Sequence, residues 1–71
     1  MSKADEMFEK LGYIKDDTGN ELIYQKNNHE ICFYLNRQNF DCGCGIGREF
    51  ITMQELQAIN EKVKELGWLN E

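Results

Sequence analysis

Ile31, Phe33 and Leu35 alternate with Glu30, Cys32 and Tyr34 along HEICFYL, residues 29–35. A period of two puts the first set on one face of a sheet and the second on the other, which predicts a strand with one apolar face. Upstream, ELIYQK (residues 21–26) places three β-favouring residues in a row and runs into the turn pair Asn27-Asn28. Downstream, Asn36 to Asn39 reads as a tight turn, and Phe40 to Gly45 as a return strand. Three strands joined by such short turns predict an antiparallel meander. In the expected register Leu35 faces Phe40, Phe33 faces Cys42 and Ile31 faces Cys44.

Helical spacing frames this meander. Ala4, Met7, Phe8 and Leu11 share one face of a helix from Lys3 to Leu11, capped by Ser2 and stopped by Gly12. Tyr13 and Ile14 are apolar and open at most a short extended segment, and DDTGN (residues 16–20) has the composition of a loop. Thr52 and Glu55 form a capping box in front of MQELQAINEKVKELGW. Leu56, Ile59, Val63 and Leu66 then make an apolar stripe on a long helix that ends at Gly67, with Trp68 and Leu69 free to fold back. The expected architecture is α+β: helix, three-stranded antiparallel meander, long C-terminal helix (αβββα), with both helices on one face of the sheet.

Composition adds limits. With 71 residues, the chain makes one small domain over residues 1–71, and a domain of this size buries only about 60% of its unfolded surface. No apolar run approaches the ~20 residues that span a membrane, and MSKADEMFEK is too charged for a signal peptide, so a cytoplasmic protein with no membrane partner is expected. The net charge of −5, with lysines and arginines scattered along the chain, argues against direct nucleic-acid binding. An acidic surface can still meet a basic groove on a partner protein.

NFDCGCGIG, residues 39–47, is the stretch that invites chemistry. His29, Cys32, Cys42 and Cys44 are ligand types that bind zinc. Four ligands must converge on one point, and alternation sends Cys32 to the face opposite Cys42 and Cys44. Cys42 and Cys44 are therefore expected as small core residues and Cys32 as the more accessible thiol, with a zinc site as the alternative. C-x-C is neither a redox motif nor an unstrained disulfide. GCGIG lacks the lysine and Ser/Thr of a phosphate loop, and its glycines, Gly43, Gly45 and Gly47, fit a strand that bends at a sheet edge. His29 has no evident catalytic partner, Glu30 and Asp41 make an acid pair without a cleft, and no catalytic or cofactor-binding residue is expected.

EMFEKLGY, EICFYL and ITMQELQAINEKVKELGW resemble segments of small uncharacterised proteins encoded by phages and prophages of Gram-positive bacteria. The resemblance spans nearly the whole chain, is best over residues 51–68, and carries no site residues. It implies a short accessory protein acting in the bacterial host cytosol. The expected function is a non-enzymatic protein-interaction module acting on a host or phage protein, one version being an acidic inhibitor of a host defence nuclease. A zinc-binding domain and a structural homodimer are the alternatives. For partner binding, Cys32, Tyr34 and Tyr24 (or Ile23) are the expected patch, on a sheet face left open.

Overall fold

The computed structural model describes residues 2–27, 29–44 and 51–68, the last residue of the sheet, Cys44, by its backbone alone. Two helices, α1 (Lys3–Lys10) and α2 (Met53–Glu65), flank four strands: β1 (Ile14–Asp17), β2 (Glu21–Lys26), β3 (His29–Tyr34) and β4 (Asn39–Cys44). The strands form one antiparallel sheet in the order β1-β2-β3-β4. The α+β class and the helices on one face are as expected; the sheet has four strands, not three. The added strand, β1, takes in Ile14 of the short extended segment expected there and the first residues of the expected loop; IKDD shows no apolar alternation, and all four of its residues are exposed. What makes it a strand is its neighbour: the Asp17–Glu21 turn closes through Thr18 and the Asp17 carboxylate, and Gly19 takes the positive φ of +96°.

The expected pairing of the last two strands is off by two residues. Phe33 faces Phe40, Ile31 faces Cys42 and His29 faces Cys44. The cause lies in the turn: the Leu35 N–H donates to the Asn20 carbonyl and Gln38 takes φ +58°, so Leu35 to Gln38 turn the chain and Tyr34 pairs with Asn39. A shift of two preserves every face assignment, where a shift of one would have reversed them all. Asn28, Gly45, Gly47, residues 48–50 and Leu69 lie outside the described residues, as does the Cys44 side chain.

Both helices close with the same device. After Leu11, Gly12 (φ +96°) donates to the Glu9 carbonyl and Tyr13 to that of Phe8; after Leu66, Gly67 (φ +77°) donates to Lys64 and Trp68 to Val63. These are Schellman motifs, and each throws an aromatic residue back onto the core. α2 is thirteen residues, Met53–Glu65 with Leu66 as its C-cap, a shorter helix than the long one expected up to the Gly67 stop.

The core lies between the helices and one sheet face. Phe8 stacks on Tyr24 with ring centroids 4.1 Å apart, Tyr24 and Phe8 meet Phe33 edge-on, and Trp68 approaches Phe33 at 6.2 Å. Leu22, Ile31, Ala58 and Ile59 complete it. α2 is rotated relative to the expected stripe: Ile59 is buried and Val63 and Leu66 are partly buried, but Leu56 is 47% exposed. Glu55, Ala58, Ile59 and Lys62 form the buried row. Phe40, expected in the core, packs beside Phe33 and remains 41% exposed on the edge strand.

Two acid-centred clusters explain the rotation. The Glu55 carboxylate closes the capping box on the Thr52 N–H (2.9 Å) and accepts from the buried Tyr13 hydroxyl (2.6 Å), with Lys26 at 3.9 Å. At the other end, Asp5 accepts from Tyr24 (2.6 Å) and Lys15 (2.9 Å) and pairs with Lys62 (3.0 Å), joining α1, both N-terminal strands and α2 at one carboxylate. Glu65 accepts from the Ala4 N–H at 3.0 Å, so a side chain of α2 satisfies the start of α1. Burial pushes all three acids up, but the hydrogen bonds and lysines prevail and hold each below its ordinary value. In return, burial and then their acid partners push the Tyr13 and Tyr24 hydroxyls far up.

Candidate functional site

Alternation along four strands produces a second face that neither helix touches. On it, three rows run across the sheet: Ile14, Gln25, Glu30 and Gly43; Asp16, Ile23, Cys32 and Asp41; and Glu21, Tyr34 and Asn39. Among the described residues nothing forms a layer over these rows. Ile14 is 75% exposed, while Ile23 and Tyr34 are half-buried by their neighbours. Above Gly43 the space is open, since a Cβ placed there would meet no atom within 4 Å.

Of the residues expected to bind a partner, Tyr34 lies on this face and Tyr24 does not. Tyr24 pairs with Ile31 on the covered face, is 1% exposed and gives its hydroxyl to Asp5; Ile23, the other candidate, holds the open-face position. Cys32 is on the open face as expected, yet only 5% exposed, with Ile23 and Asp41 beside it on the neighbouring strands. Burial pushes its thiol pKa up, which lowers the share of thiolate at neutral pH. The Tyr34 hydroxyl has the Cys32 thiol and the Asp41 carboxylate (3.1 Å) as partners, in that order of effect, and is pushed up to about 12. Gln25 donates to Glu30 at 3.0 Å.

The zinc alternative required His29, Cys32, Cys42 and Cys44 to converge. His29 and Cys42 occupy positions on the covered side of the sheet and Cys32 stands on the other, with Cys42 packed against the core cluster. Among the described residues no group of three or more His, Cys, Asp or Glu is arranged to hold a metal. Glu30 and Asp41 do share a face, diagonally across β3 and β4.

A cleft of about 350 Å³ lies between α1 and β1, lined by Phe8, Tyr13, Tyr24 and Ile14, with Asp5, Glu9 and Lys15. Its central polar groups are already engaged with one another, Asp5 with Lys15 and Tyr24, which suits a structural joint better than a ligand site. Sequence reasoning missed Asp16 and Ile14 on the open face because it did not count β1 as a strand. It missed the role of Asp5 because a helix-start acid carries no signal of its three-dimensional partners.

No helix of the described residues is long and apolar enough to cross a membrane. Comparison with protein-family models, curated proteins and solved structures returned no match.

Proposed function

We propose that this chain is a non-enzymatic protein-interaction module that binds a protein partner with the open face of its sheet. One observation carries the reading: a sheet whose second face bears Ile14, Ile23, Cys32 and Tyr34 without a layer above it among the described residues. A contiguous apolar patch rimmed by polar residues is one mark of an interaction site. Among the described residues the buried polar side chains, by contrast, have partners within the fold, which leaves the covered side to stability. The resemblance to phage proteins supplies the setting, a bacterial host cytosol in which the partner is a host or phage protein. An inhibitor of a host defence nuclease is one form of such a module.

The test is face-resolved photo-crosslinking. A crosslinking residue replaces Ile23 on the open face or Gln57 on the exposed side of α2, and each variant is incubated with host lysate. A discrete protein adduct from position 23 and none from position 57 is the expected result. Adducts only from position 57, or none from either, would remove the proposal.

A further inference from the structure

The negative charge of this protein is unevenly placed. Every lysine of the chain belongs to a helix or to a covered-face strand position, and there lysines offset the acids, Lys15 and Lys62 on Asp5 and Lys26 beside Glu55. The open face has the reverse composition: its strand positions include Asp16, Glu21, Glu30 and Asp41 and neither lysine nor arginine. Arg37 of the β3–β4 turn stands beside this face, its guanidinium 5.7 Å from the centre of the Tyr34 ring. The acids also surround an apolar centre, because Ile23 and Cys32 stand side by side between Asp16 on one edge strand and Asp41 on the other. At the usual strand spacing that row spans roughly 14 Å.

We infer that the open face docks a protein segment rich in lysine or arginine, the aliphatic stems lying over Ile23, Cys32 and Tyr34 and the charged tips reaching the surrounding carboxylates. The inference rests on the open-face reading of function and narrows it. Long basic side chains suit such a surface because they are apolar along the stem and charged only at the tip. Arginine stacks on aromatic rings as well, and Arg37 over Tyr34 shows that contact within the chain itself. The same charge pattern opposes the other occupants. A second copy would set carboxylates against carboxylates, and a nucleic acid would bring its phosphates.

The full chain, isotope-labelled, is titrated with two synthetic peptides, one alternating arginine with valine and the other glutamate with valine. The arginine peptide is expected to move the amide resonances of Ile23, Glu30, Cys32 and Asp41; the glutamate peptide is expected to move none. Raising salt from low to physiological should weaken the arginine peptide by about tenfold. Joint replacement Glu30→Lys and Asp41→Lys, both exposed positions, should weaken it by about tenfold or more, whereas Lys3→Glu with Lys64→Glu on the helices should leave it unchanged. Sedimentation at low salt should show a monomer. Equal binding of both peptides, salt-independent binding, shifts confined to the helices, no binding, or a dimer formed through this face would overturn the inference. A crosslink from position 23 to a partner surface without basic residues would overturn the charge preference and leave the open-face function standing. Loss of all crosslinks from position 23 would remove both.

Discussion

On one face of the sheet, Tyr24 and Phe33 are sealed under Phe8, Ile59 and Trp68; on the other, one residue away along the same strands, Ile23 and Tyr34 have no layer above them among the described residues. The covered face also takes in charge. Glu55 accepts from the Tyr13 hydroxyl, Asp5 from that of Tyr24, and Lys62 pairs with Asp5, so each has a partner from another element. The open face keeps its carboxylates without lysines to offset them. Polar residues under the helices therefore hold the elements in register, while polar residues on the open face have little structural duty and can be changed or used. The same residue type, aspartate, is a tie at position 5 and a surface charge at position 41.

Truncations should separate the two faces most sharply. Phe33→Ala removes a fully buried ring that Phe8, Tyr24, Phe40 and Trp68 all touch, and should cost about 3–5 kcal/mol, enough to unfold much of so small a domain. Glu30→Gln on the open face should stay within about 0.5 kcal/mol. Urea denaturation of both variants checks this, and equal losses would mean that the open face is covered in solution.

Acid should come next, because several ties share one sign. Asp5, Glu55 and Glu65 are held below their ordinary values of 3.8, 4.5 and 4.5 in the folded state. A depressed carboxylate stabilises the fold above its unfolded pKa and loses that contribution as pH falls through its folded value. Thermal midpoints should therefore be flat from neutrality down to about pH 5 and drop below about 4.5. A single replacement tests the largest tie. Asp5→Asn leaves the Lys62 ammonium, 6% exposed, against a neutral amide, at a cost of about 1–3 kcal/mol, and should flatten part of the acid limb. An acid profile identical to that of the parent would show that Asp5 is not the joint between α1 and α2.

Much of this division was legible in the chain. The strand alternation of residues 29–35, the caps at Ser2 and Thr52, the stops at Gly12 and Gly67 and the return of Trp68 follow from local chemistry, and local chemistry survives in the fold. The opposition of Cys32 to Cys42 was legible too, since it depends on parity alone and a two-residue error in register leaves parity intact. β1 was not legible, because a strand exposed on both faces has no apolar period to detect. Tyr24 was assigned to the wrong face because three consecutive apolar residues, Leu22, Ile23 and Tyr24, do not say which parity is inward. The sequence of α2 supports two overlapping rows, 56-59-63-66 and 55-58-59-62. Only the Tyr13 hydroxyl and the Asp5 carboxylate, distant in sequence, favour the second.

That choice of rows gives the smallest effect and the finest test. From the sequence, Leu56→Ala would have been expected to cost about 2–5 kcal/mol, as a member of the buried stripe. In the structure Leu56 is 47% exposed while Ile59, three residues on, is 4% exposed. Truncating Leu56 removes little buried area and leaves a better helix former, since alanine has the highest helix propensity, so the change should fall within about 0.5 kcal/mol. Ile59→Ala should still cost about 2–5 kcal/mol. The two substitutions share a helix, a chemistry and nearly a turn, so helix propensity nearly cancels and the difference reports orientation alone. Comparable losses at both positions would place the 56-59-63-66 row inward and would break the Glu55–Tyr13 tie with it. A loss at Ile59 alone fixes the helix as described, with Leu56 on its solvent side.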